Sequence, residues 1–131
     1  MKSVKIGIIT REVIKVLEVN IEPESPIYIA GYNVAHMQTR HPRDFREYGN
    51  EIRKIISDPD YIGIASGKSI EYIKEYKHVP EGSVFVKVAV KASPQGTFYV
   101  CTMYRVKRNR VINFINKCTL KAVVDKEAVL S

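Results

Sequence analysis

The sequence predicts an α+β domain. Apolar residues fall at helical spacing through much of the first half of the chain, and a strict period-two alternation runs from Val84 to Val90 in the second. Ser93-Pro94-Gln95-Gly96 then has the composition of a tight turn, and Phe98 to Tyr104 reads as a returning strand. The expected arrangement is one domain over residues 1–131, with helices lying over the apolar face of a hairpin. A chain of this length buries a core without disulfide or metal staples.

Each element follows from local chemistry. Thr10 suits an N-cap, after which Val13, Ile14 and Leu17 share a helix face. The two prolines between Asn20 and Pro26 mark a loop, and Ile27-Tyr28-Ile29 reads as a short extended segment. Asn33 fits the N-cap of a helix reaching Arg40, which Pro42 ends because the residue before proline avoids the α region. Pro42 also suits the first turn of the next helix, where Phe45, Tyr48, Ile52, Ile55 and Ile56 form a stripe that Gly49 weakens. Asp58-Pro59-Asp60 stops it. Tyr61 to Ile64 reads as a strand, Ser66-Gly67-Lys68 as a turn, and Ser69 to Lys77 as a partly alternating strand. Toward the end, Val111, Phe114, Ile115 and Cys118 have helical spacing, and Leu120 to Val124 suits a final strand.

The hairpin allows a conditional register. If Ala92 pairs with Thr97, then Val90 opposes Tyr99, Val88 opposes Cys101 and Val86 opposes Met103 on an apolar face. On the other face Lys87 opposes Thr102 and Phe85 opposes Tyr104. An ammonium, a hydroxyl and a phenol then share one surface.

Composition narrows the partners. The formal net charge is +7 and the pI about 9.4, which favours a polyanion such as nucleic acid, an anionic membrane or an acidic protein. Cys101 and Cys118 form neither a disulfide framework nor a C-x-x-C metal pair, so both read as reduced, in a cytoplasmic setting. Cys101 is expected on the buried face. The apolar residues before Thr10 are interrupted by Lys5 and Gly7, too short and broken for a secretion signal or a membrane span. No phosphate loop, dinucleotide fingerprint or divalent-metal cluster is present, and no metal or cofactor is expected.

RNA carries its own nucleophile, the 2′-hydroxyl. Cleavage needs a base for that proton, an acid for the departing 5′-oxygen, and a cation for the charge on the phosphate. Histidine titrates nearest neutral pH, which draws attention to His36 and His41. Arg40 lies four residues after His36, on the same helix face. Taken singly these residues have ordinary explanations: a packed or surface histidine, a helix-junction residue at His41, and outward alternation at Lys87. Thr102 has strand propensity and Tyr104 can cover an apolar edge. His78, in an expected loop, reads as solvated. Only the joint placement favours function, with Thr102 donating to a phosphate oxygen and Tyr104 stacking on a base or bonding the phosphate. Arg105, Lys107, Arg108 and Arg110 follow directly and suit an RNA backbone.

The order and spacing of these segments resemble a phage-associated nuclease domain of the Barnase–EndoU–colicin–RelE class. The likeness runs from about Lys5 to Leu120. It rests on His36-Met37-Gln38-Thr39-Arg40-His41-Pro42, Asp44-Phe45-Arg46-Glu47-Tyr48, Asp58-Pro59-Asp60-Tyr61-Ile62-Gly63 and Thr102-Met103-Tyr104. The resemblance implies N-terminal helices packed on a small antiparallel sheet, and metal-independent cleavage of RNA to a 2′,3′-cyclic phosphate. It implies two histidines, a lysine, and a Ser/Thr two residues before a Tyr. His36 and His41 take the first roles and Thr102 and Tyr104 the last. Lys87 is the lysine chosen from the pairing argument, with Lys68 its rival. The short spacing of His36 and His41 departs from EndoU proper. Domains of this class are often toxins or parts of phage proteins, which implies an antitoxin or immunity protein as partner. The competing readings are a binding module of the same fold that holds RNA or an acidic protein without cleaving, and a phage accessory domain with no nucleic-acid role.

Overall fold

The chain opens on a strand rather than a helix. A computed structural model describes residues 2–123, apart from 66, 79 and 81. In it β1 (Ser3–Ile9) leads into α1 (Arg11–Leu17), whose Val13 N–H donates to the Thr10 hydroxyl at 3.2 Å. Then follow β2 (Ser25–Ala30), α2 (Gly31–Arg40), α3 (Pro42–Tyr48), a 3-10 turn (Gly49–Glu51) and α4 (Ile52–Ser57). The remaining elements are β3 (Tyr61–Ile64), β4 (Ile70–His78), β5 (Gly82–Ala92), β6 (Phe98–Val106), α5 (Arg108–Asn116) and β7 (Leu120–Ala122). Ser66 of the expected turn and Val124 of the expected last strand lie outside the described residues.

The α+β class holds, but the expectation of N-terminal helices on a small antiparallel sheet is overturned. The described strands form one seven-stranded mixed sheet, in the order β1-β2-β6-β5-β4-β3-β7. The helices follow strands along the chain, and β2 pairs parallel with β6. The reason is visible in β1. A register shift between Lys5 and Gly7 breaks the alternation there, yet the strand pairs with β2 and buries Ile6 and Ile9.

Opposite faces of β5 carry different cores. Val86, Val88 and Val90 pack with Val13, Met37, Tyr48, Ile52, Ile55 and Ile56 of α1–α4. Phe85 packs with Val106, Tyr61, Ile73 and Leu120, and with Val111 of α5. Fully burying each large aliphatic side chain is worth about 1.5–3 kcal/mol. Asn33 sits in the first turn of α2, not at its cap, and its side chain accepts from the Ala30 N–H at 2.7 Å. The expected helix from Pro42 to Ile56 is split by the 3-10 turn at Gly49, which faces the Phe45 ring.

Gly63 is where β7 closes against β3. A Cβ built there would lie 2.3 Å from the Thr119 carbonyl oxygen and 2.9 Å from Leu120 Cδ2. Backbone cannot yield as a flexible side chain would. Gly63→Ala is expected to destabilise the fold by about 3 kcal/mol. Urea denaturation checks this, and an unchanged midpoint would contradict the close approach.

Candidate active site

The pairing of β6 with β2 is short, and the candidate site lies where it stops. β2 pairs with β6 at Ile27–Phe98 and Tyr28–Tyr99, then ends at Ala30 and gives way to α2. Beyond that point β6 runs against the α2–α3 junction instead of a strand. Asp44 of α3 takes over the exposed edge, accepting from the Arg105 backbone N–H at 3.0 Å and from its Nε at 2.8 Å. Glu47 stands 3.9 Å from the same guanidinium.

The register differs from the conditional one in two steps. Ala92 pairs with Phe98, one residue beyond the expectation, and a shift between Ala89 and Val90 leaves Cys101 as an extra residue. The resulting pairs are Lys91–Tyr99, Ala89–Thr102 and Lys87–Tyr104. Lys87 therefore faces Tyr104 rather than Thr102, and Phe85 faces Val106. Thr102 and Tyr104 still share a surface with Lys87. Tyr99 joins them there instead of entering the core. Cys101 stays half-buried at the bulge, where its Sγ lies 3.3 Å from the Ala89 carbonyl and burial pushes its thiol pKa up.

Lys87 is 8% exposed, so its ammonium requires partners. It donates to Glu71 Oε2 at 2.9 Å and lies 4.9 Å from the Tyr104 ring centre. Burial works against its charge, but bonding toward Tyr104 and Glu71 outweighs burial and holds its pKa above the ordinary lysine value. The other side of the site comes from the helix junction. His41 leaves the helical path at φ −138° and ψ 62° ahead of Pro42, and its imidazole stacks on Tyr104 with ring centres 4.9 Å apart and planes at 28°. A continuous chain of groups results: His41, Tyr104, Lys87, Glu71.

The remaining expected residues lie at four places on the fold. His36 and Arg40 are exposed on α2, and their side chains make no hydrogen bond or ion pair with another described residue. The helical repeat puts His36 on the flank of α2 that also carries Tyr32, while Arg40 follows in line with Asn33 at the exposed C-terminal end of the helix. That flank borders the open sheet face, because Tyr32 meets Tyr99 at 6.4 Å between ring centres. Lys107, Arg108 and Arg110 are exposed where β6 passes into α5, with the Arg110 guanidinium 5.6 Å from the Phe114 ring. Lys68 is exposed in the β3–β4 turn at φ 64°. Arg105 is the one already engaged, by Asp44 and Glu47. His78 ends β4 rather than lying in a loop, and its Nε2 is 3.1 Å from the Tyr48 hydroxyl.

Two residues escaped the sequence reading. Glu71 becomes visible only through the β4–β5 register, which pairs Ile73 with Lys87 and Glu71 with Ala89. Asp44 lies in the first turn of α3, where an acidic residue needs no further explanation. Among the described residues no three of His, Cys, Asp and Glu come together to hold a metal ion, and no helix is long and apolar enough to cross a membrane.

A family model described as phage-Barnase-EndoU-ColicinE5/D-RelE like nuclease 3 matches residues 4–113, a span that includes His36, His41, Glu71, Lys87, Thr102 and Tyr104. No curated protein and no solved structure matches the chain.

Proposed function

The chain belongs to the phage-Barnase-EndoU-ColicinE5/D-RelE like nuclease family, and from that membership we propose that it is a metal-independent endoribonuclease. The observation that carries this reading is the convergence of His41, Tyr104 and Lys87 on one open sheet face, with Thr102 beside them. In the reaction one histidine of the pair His36 and His41 removes the 2′-hydroxyl proton. The 2′-oxygen attacks the adjacent phosphorus, and the 5′-oxygen leaves with a proton from the other. The products are a 2′,3′-cyclic phosphate and a free 5′-hydroxyl.

Lys87 suits the growing charge on the phosphate oxygens, because Glu71 and Tyr104 keep it an ammonium in a half-closed setting. Arg40 adds a second cation from α2. Thr102 donates to a phosphate oxygen, and Tyr104 holds Lys87 and His41 at a fixed separation. Lys107, Arg108 and Arg110 guide the RNA backbone from one end, and Lys68 from another. Arg105 belongs in this account as a brace between β6 and α3. The biological setting in this reading is a toxin of phage or mobile-element origin that acts in the cytoplasm and is restrained by an antitoxin or immunity protein.

Incubation of a mixed RNA pool with the protein in EDTA tests the proposal. Fragments with 2′,3′-cyclic phosphate ends are expected. RNA retained at low salt but left intact would point instead to a binding module of the same fold, and absence of both would remove RNA from the account.

A further inference from the structure

The bulge at Cys101 has a second effect. It turns Tyr99 onto the same sheet face as Thr102 and Tyr104, which an unbroken strand would not do, since Tyr99 and Thr102 are an odd number of residues apart. Tyr99 there becomes part of a row that crosses four strands. Lys5 pairs with Tyr28, Tyr28 with Tyr99, and Tyr99 with Lys91, so two tyrosines lie side by side with a lysine at each end. The Tyr28 and Tyr99 ring centres are 6.1 Å apart, and Tyr32 adds a third ring from α2 at 6.4 Å from Tyr99.

Tyr32 is 57% exposed, one of few large apolar side chains so open to solvent among the described residues. Nothing in the core explains its position. By contrast, the ring of Tyr104 already meets the His41 imidazole and the Lys87 ammonium. The aromatic surface left for a ligand on this face is that of Tyr99 and Tyr32.

We propose that the Tyr28–Tyr99–Tyr32 cluster, flanked by Lys5 and Lys91, is a stacking site for an unpaired nucleobase of the RNA substrate. This rests on the endoribonuclease reading and adds a substrate class to it. Aromatic rings accept the π-face of any base, while the lysines meet the phosphates on either side of it. Lys91 and Lys87 are four residues apart on β5, which puts the stacked base about 13 Å from the reacting phosphate. Bases in a duplex cannot offer their faces at that place, so the substrate is single-stranded across the site.

The test uses a single-stranded RNA with 2′-O-methyl groups throughout and 2-aminopurine among its bases. Its blocked 2′-oxygens prevent cleavage, so binding is measured apart from catalysis. Wild-type protein is expected to bind it at low salt with a change in 2-aminopurine emission, and to bind the matching duplex more weakly. Tyr32→Ala, at an exposed position with little risk to the fold, is expected to weaken binding about tenfold and to reduce the emission change. Tyr99→Leu, which keeps bulk but loses the π-face, is expected to do the same at an unaltered melting temperature. Wild-type affinity and emission in both variants would overturn the stacking site even if the protein cleaves ordinary RNA. Loss of binding in both variants of a protein that never cleaves RNA would uphold the site and dismiss the nuclease reading alone.

Discussion

His41→Ala is expected to lower RNA cleavage by about 10²–10⁴-fold, the range for loss of one positioned acid or base. The residue is half-buried at a helix junction and its ring stacks on Tyr104, so the substitution removes one aromatic contact but no buried hydrogen bond. The fold is expected to survive, with the melting temperature as control. His36→Ala is expected to lose activity on a similar scale if the two imidazoles divide proton removal and donation. Full activity in His36→Ala with loss in His41→Ala would leave one histidine in the mechanism and put a different group in the second role. Full activity in both would remove imidazole chemistry from the proposal. Single-turnover cleavage of one defined RNA, followed across pH, makes the distinction.

Lys87→Met is expected to damage both the fold and the chemistry. It leaves the Glu71 carboxylate, 18% exposed as a side chain, without its ammonium, and breaking such a pair costs about 3 kcal/mol. It also removes the cation proposed to steady the phosphate, worth about 10²–10³-fold in rate by analogy with other preorganised donors. Adding Glu71→Gln separates the two effects. Lys87→Met/Glu71→Gln is expected to regain much of the lost stability and none of the lost activity. Recovery of activity in the double variant would make Lys87 a structural residue.

Glu71→Gln alone addresses the titration. Glu71 raises the Lys87 pKa and burial lowers it, so removing the carboxylate moves that pKa down. The Lys87 ammonium of Glu71→Gln is then expected to titrate at lower pH than that of the wild type, as followed by NMR of the lysine side chains. In the wild type the folded-state pKa exceeds the ordinary 10.5, so the pair's contribution to stability is complete below that value and is lost only as pH rises through the folded-state pKa.

Much of this was legible in the sequence, and the failures have a common origin. The alternation from Val84 to Val90 identified β5 as a strand, although both of its faces are buried, one under α1–α4 and the other around Phe85 and Lys87. Thr10 and Pro42 marked helix boundaries through local chemistry that depends on no distant partner. The register of β5 on β6 depended on features without such a signature. The turn closes with the Ser93 N–H donating to the Thr97 carbonyl, and Cys101 bulges. The two offsets together span two residues, which restores the original parity beyond the bulge. Thr102 and Tyr104 therefore reached the expected face although their partners changed. Tyr99, between the offsets, crossed from the expected core to the surface. Glu71 was hidden for a related reason, since its role follows from pairing across a second hairpin. β1 was hidden because Lys5 and Gly7 interrupt its pattern at an irregularity in pairing. His41 could be placed at a helix junction, but its approach to Tyr104 depends on where β2 stops.

The parallel contact between β2 and β6 also governs when the candidate site can assemble. Strand and neighbour are made far apart during synthesis, and closing so long a loop is slow compared with forming a hairpin. Until β6 has emerged from the ribosome, the imidazole of His41 has no phenol to rest on and the nascent polypeptide has no assembled centre.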